Sequence, residues 1–211
     1  MEIYKYGDDQ ASIVLIQMVG EHDLSGIEKE IHEIQKLTEM KFQLIALKVY
    51  NWNHDLSPWR AQAVFSNEGF GDGAKKTLDE VMKLCTDSNK TYCIGGYSMA
   101  GLFALWSAYQ TNRFTAVASA SPSIWFPDFL HYMKQQKIQT NCIYLSLGNK
   151  EEKTRHSVMA QVGNCIRDAH DLLHAEGIQC TLEWNEGGHF KDPYLRTAKA
   201  FAWVMNNLKK S

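Results

Sequence analysis

The stretch Thr91-Tyr92-Cys93-Ile94-Gly95-Gly96-Tyr97-Ser98-Met99-Ala100-Gly101-Leu102-Phe103-Ala104-Leu105-Trp106 decides the fold. A short apolar run ends in two glycines, a serine follows one residue later, and small and apolar residues of helical character begin directly behind it. A strand that turns sharply into a helix with a serine at the corner is the arrangement of a nucleophile elbow. Strand and helix backbones pass close together in such a turn, so the positions two before and two after the serine must be small. Gly96 and Ala100 occupy them. The second position is usually glycine; here the glycine comes one place later, at Gly101. The turn also aims the N–H of Met99, at a helix N-terminus, toward an oxyanion forming beside Ser98. Taken alone, the same turn suits a serine that merely caps the helix. The rest of the chain has to decide.

Outward from the elbow, short apolar runs alternate with longer amphipathic segments. Strands are predicted at Ser12–Met18, Phe42–Val49, Thr91–Gly95, Ala116–Ser119, Cys142–Leu147 and Cys180–Trp184, with Glu2–Tyr6 a candidate edge strand. Most show little polar alternation, as strands covered on both faces do. Helices are predicted at Leu24–Glu39, Ala74–Thr86, Met99–Thr111, Pro127–Gln136, Thr154–Glu176 and near Leu195–Leu208. In the first of them Ile27, Ile31, Ile34 and Leu37 form one apolar stripe. Strand and helix in alternation, with right-handed crossovers, give an α/β three-layer sandwich around a mostly parallel sheet of about six strands. The irregular stretches Tyr50–Gly73 and Ala120–Phe126 each follow a strand. Open α/β sheets bind ligands beyond the carboxyl ends of their strands, so function is expected there.

Composition bounds the answer. At 211 residues, with 45% hydrophobic and 22% charged, the chain has the size of a single domain, 1–211, with a core of its own. Lys and Arg total 22 against 24 Asp and Glu, which offers no basic face for nucleic acid. Five cysteines without a CxxC spacing exclude a disulfide framework and a zinc ribbon. The first residues hold no apolar signal core, and Ile13–Val19 is too short to span a bilayer. A cytoplasmic protein without a membrane partner is expected.

A serine hydrolase of this layout needs an acid after a later strand and a histidine after the last one. Strand Cys142–Leu147 runs into Gly148-Asn149-Lys150-Glu151-Glu152, and Cys180–Trp184 runs into Asn185-Glu186-Gly187-Gly188-His189-Phe190. From Ser98 to Glu151 is 53 residues and from Glu151 to His189 is 38, each interval holding one or two further elements. With Gly96–Gly101, Ser119-Ala120-Ser121-Pro122-Ser123-Ile124-Trp125, Leu145–Gly148 and Gly187–Phe190 in this order, the chain resembles the α/β-hydrolase superfamily from Ser12 to about Leu208. More narrowly it is similar to the branch with siderophore, feruloyl and small-acyl esterases.

That resemblance implies a cofactor-independent serine hydrolase acting on a small-molecule ester or related acyl bond. Ser98 would be the nucleophile, His189 the base, and Glu151 the acid, with Glu152 and Asp128 as alternatives. The second oxyanion donor would be the N–H of Gly20 or Glu21, after the first central strand. Trp52, Trp59, Tyr97 and Trp125 are candidates for the substrate wall, since aromatic rings line ligand clefts and also anchor loops. The segment between the strands ending at Ser119 and starting at Cys142 has room for one helix, hence no large cap and an open site. An acyltransferase on the same fold, or a binding module that has lost the chemistry, are the rivals. His170 and His174 share a helix face but lack a third metal ligand and a glutamate base. Gly69-Phe70-Gly71-Asp72-Gly73 lacks the lysine of a phosphate loop.

Overall fold

The computed structural model describes residues 1–64 and 67–208. In chain order its elements are β1 (Glu2–Gly7), β2 (Ile13–Val19), α1 (Glu21–Leu24), α2 (Ile27–Leu37), β3 (Phe42–Lys48), α3 (Trp52–Asp55), α4 (Ala74–Met82), β4 (Thr91–Tyr97), α5 (Met99–Gln110), β5 (Phe114–Ala120), α6 (Phe129–Gln135), β6 (Cys142–Gly148), a 3-10 turn (Met159–Gln161), α7 (Val162–Ala175), β7 (Gln179–Asn185) and α8 (Pro193–Asn206).

The strands form one sheet in the order β1-β3-β2-β4-β5-β6-β7. From β3 to β7 every neighbour is parallel, and β1 closes the edge antiparallel to β3, pairing Tyr4 with Ala46. The sheet therefore has seven strands rather than about six, because Glu2–Gly7 joins it. Central strands are buried throughout: all seven residues of β2 are inside, including Val14, Leu15 and Ile16. Alternate residues of such a strand feed two different cores. On one face Ile16 and Ile94 pack with Leu78 of α4, Phe103 of α5, Met133 of α6 and Ile166 of α7. On the other, Leu15 and Cys93 pack with Ile34 of α2 and Phe201 of α8. Helix α5 is buried from Met99 to Tyr109, which its small and apolar residues on every side permit.

Three boundaries depart from the sequence reading. The helix expected over Leu24–Glu39 divides at Ser25-Gly26 into α1 and α2. Helix α7 starts only at Val162, because the preceding residues fold into turns, with Ala160 N–H donating to His156 O (2.9 Å) and a 3-10 turn over Met159–Gln161. Within the expected loop 50–73, Asn51 accepts a hydrogen bond from His54 N–H (2.9 Å) and starts the four-residue α3. Between β5 and β6 the only helix is α6, so the sandwich carries no large cap. Among the described residues no helix is long and apolar enough to cross a membrane.

Candidate active site

The carboxyl end of β4 sets the nucleophile. Strand β4 is paired with β5 as far as Tyr97–Ala120, and Ser98 N–H continues the ladder to Ala120 O at 3.1 Å. The chain then turns into α5 with Ser98 at φ +57°, ψ −118°. A side chain in that region costs about 1–3 kcal/mol and persists only where its surroundings hold it. Here Leu102 N–H and Ser123 N–H both donate to Ser98 O, at 3.0 and 3.1 Å. Gly96 explains how the elbow tolerates alanine at position 100: a Cβ on Gly96 would lie 2.6 Å from the Ala100 methyl. The missing side chain leaves that methyl its space.

Two loops bring partners to Ser98. His189 follows β7, and its Nε2 lies 3.1 Å from Ser98 Oγ. Its Nδ1 lies 2.7 Å from Glu151 Oε2. An imidazole whose Nδ1–H donates to a carboxylate presents the Nε2 lone pair to the serine hydroxyl. Glu151 follows β6, three residues beyond Gly148. Its Oε1 accepts from Gly148 N–H (2.7 Å), Ser121 Oγ (3.0 Å) and Arg196 Nη1 (2.8 Å). Burial pushes the Glu151 carboxyl up, but hydrogen bonds from His189, Gly148 and Ser121 outweigh it and hold the group below the ordinary carboxylate range. Gly148 is required at this turn, since a Cβ there would meet Gly187 O and come within 2.8 Å of Glu151 Oε1.

The other residues singled out in the sequence are dispersed. Glu152 turns to α7 and pairs with Arg167 at 3.1 Å, so it does not reach His189. Asp128 precedes α6 in a left-handed conformation, outside the cavity described below. Met99 opens α5 beside Ser98, and its N–H is among those a helix start leaves without an intrahelical acceptor. Gly20 N–H, by contrast, donates to Asp23 Oδ2 at 2.7 Å, and Glu21 pairs with Lys48. Neither is among the residues lining the cavity.

Ser98, His189 and Glu151 open onto a cavity of about 570 Å3 whose walls include Trp52, Phe70, Trp125, Met159 and Phe190. Of the four aromatic residues singled out in the sequence, Trp52 and Trp125 are among the lining residues. Trp59 is not: its indole N–H donates to Pro127 O (3.0 Å), and its ring packs on Phe126, Phe129 and Tyr132, anchoring the loop from beneath. Tyr97 is not either. Its hydroxyl donates to His189 O (2.6 Å) and accepts from Arg196 Nη1 (3.0 Å), away from the cavity. Burial pushes its phenol up to about 12.

Arg196 escaped the sequence reading. The available signal was periodicity: it falls on the stripe Arg196, Ala200, Val204 of α8, a charged residue on a buried face. Phe190, 91% exposed yet lining the cavity, was also missed as a wall residue.

The sheet order, the strained serine and the two loops define an α/β-hydrolase fold with its residues of interest at the carboxyl ends of β4, β6 and β7. Solved structures agree on the fold. An IroE-like serine hydrolase from Shewanella oneidensis superposes with a TM-score of 0.76 at 14% identity, over 99% of this chain and 77% of that one. The enterobactin esterase of Shigella flexneri gives 0.66 at 13% identity, over 98% of this chain, which spans 55% of the esterase's length. A Pyrococcus furiosus esterase gives 0.61 at 9% identity, over 98% and 87%. No protein-family model and no curated protein matches the chain.

Proposed function

We propose that this chain is a serine hydrolase that cleaves a carboxylic ester, or a related acyl bond, through an acyl-enzyme on Ser98. One observation carries the reading: the continuous relay Ser98 Oγ–His189 Nε2 at 3.1 Å and His189 Nδ1–Glu151 Oε2 at 2.7 Å, delivered from three separate strand ends. His189 takes the Ser98 proton as Oγ attacks the carbonyl carbon, and Met99 N–H faces the oxygen that becomes negative. The same proton passes to the departing alcohol as the acyl-enzyme forms. A water then attacks, giving its proton to His189 and returning Ser98 on release of the acid. Glu151 keeps Nδ1 protonated and stabilises the transient imidazolium. This chemistry needs no cofactor.

The cavity supports a small-molecule substrate, being of ligand size and walled by Trp52, Phe70, Trp125 and Phe190. An aromatic or medium-length apolar acyl group fits these walls. The whole chain, 1–211, acts in this reading as a single domain. Cys85, Cys93, Cys142, Cys165 and Cys180 are all free, which supports a reducing, cytoplasmic setting. The test is labelling by a fluorophosphonate probe with turnover of an ester panel varied separately in acyl and alcohol parts. Wild type is expected to label and turn over, and Ser98→Ala to do neither. Labelling that persists in Ser98→Ala removes Ser98 as the nucleophile.

A further inference from the structure

Arg196 stands one turn into α8 and is fully buried, an unusual place for a side chain that never gives up its charge. Its contacts account for the burial. Nη1 meets Glu151 Oε1 at 2.8 Å, Tyr97 Oη at 3.0 Å and Ser121 Oγ at 3.2 Å. Nη2 donates to the carbonyl oxygens of Glu186 (3.1 Å) and Gly188 (2.9 Å). Gly188 O belongs to the residue directly before His189. Tyr97, directly before Ser98, carries the connection on by donating to His189 O at 2.6 Å. One guanidinium thus touches the acid itself, the loop that carries the histidine, and the residue that leads into the serine.

We infer that Arg196 is a positioning residue that locks Glu151 and the 186–188 loop to one another, so that His189 is held against Ser98. The inference rests on the serine-hydrolase reading above. A glutamate has one more rotatable bond than an aspartate, so its carboxylate has more ways to miss a histidine. Fixing Oε1 from Arg196 leaves Oε2 a single direction, toward Nδ1. The planar fork of arginine suits this task, reaching several acceptors in fixed geometry, whereas a lysine ammonium is a point charge on a flexible stem. The positive charge also balances Glu151 where the carboxylate side chain is only 5% exposed.

Hydrolysis of 4-nitrophenyl acetate by wild type, Arg196→Lys, Arg196→Ala and Tyr97→Phe tests this, with Tm and circular dichroism taken for each. Misplacement by about 1 Å is worth about a hundredfold in rate. Arg196→Ala is therefore expected to lose about that in kcat, Arg196→Lys less, both with KM little changed. Guanidinium ion at tens of millimolar should restore part of the rate of Arg196→Ala. Should Arg196→Ala not fold, Arg196→Lys still decides, through its kcat and the downfield proton resonance of His189 Nδ1–H, which should weaken or move. A folded Arg196→Lys with wild-type kcat and resonance overturns the role of Arg196 while leaving the hydrolase reading intact. A wild type that neither hydrolyses the ester nor reacts with fluorophosphonate overturns both.

Discussion

Ser98 is held at φ +57°, ψ −118° although serine has a Cβ that resists it. Glycine adopts that region without the penalty. Ser98→Gly is therefore expected to be more stable than Ser98→Ala, by about 1 kcal/mol in urea unfolding; equal stabilities would mean that the elbow is not strained. Gly148 offers a second test. A methyl there would sit on Glu151 Oε1 and Arg196 Nη1, at 2.8 and 2.9 Å. Gly148→Ala should cut kcat by at least about tenfold through displaced hydrogen bonds while the protein stays folded. These residues differ in how legible they were in the sequence. Ser98 and His189 stand beside glycines that punctuate strand ends, and local sequence records such turns well. Glu151 and Glu152 are chemically identical neighbours, and the choice between them is made by the turn at Gly148 and by Arg167, which draws Glu152 to α7. Gly20 N–H donates to Asp23, a side-chain choice no motif announces.

Between β2 and α2 lies a buried pair of another kind. Gln17 Nε2 donates to Glu30 Oε2 at 3.3 Å, while Gln17 Oε1 and Glu30 Oε1 are both buried without a partner. A proton on Glu30 supplies a donor for an otherwise unmatched set of oxygens. Burial, with Asp23 adding to it against the Gln17 bond, pushes this carboxyl up to about 8. The folded chain thus keeps a proton that the unfolded chain releases near the ordinary carboxyl value of 4.5. The stabilisation is complete below that value and is lost as pH rises through about 8, at up to about 1.4 kcal/mol per pH unit. Glu30→Gln should remove this slope, so that urea midpoints of the variant and wild type diverge between pH 6 and pH 9 in the variant's favour. Phe201 of α8 is fully buried in the core shared with α2, and Phe201→Ala should cost about 3–5 kcal/mol. At this scale the sequence was most readable in β2–β6, whose largely apolar runs suit strands covered on both faces. It was least so for α1 and α2, where the Ile27–Leu37 stripe is periodic enough to hide the break at Ser25-Gly26. The turns before α7 were likewise hidden, because the 3-10 turn Met159–Gln161 runs straight into Val162 with near-helical backbone angles on either side.

Across the molecule, the sheet divides labour between its faces. The α4–α7 face builds one core and the α2–α8 face the other, and α8 also delivers Arg196 under the loops that carry Glu151 and His189. The cavity at the strand ends meets solvent with Phe190 standing 91% exposed at its wall, 5.3 Å from the His189 ring. A ring so placed gains little for the fold and is free to cover a substrate. Phe190→Ala is expected to raise KM for esters with an aromatic alcohol several-fold, leaving Tm and turnover of ethyl esters nearly unchanged; this ring burial is of the order of 1–2 kcal/mol. The lack of a large cap, already implied by the short β5–β6 connection, bears on kinetics as well as access. Enzymes whose site is roofed by a mobile lid can wait for an oil–water interface to open it. Here no helix between β5 and β6 other than α6 exists to be displaced. Rates on a sparingly soluble ester should follow a plain hyperbola up to the solubility limit, with no jump where droplets or micelles first form.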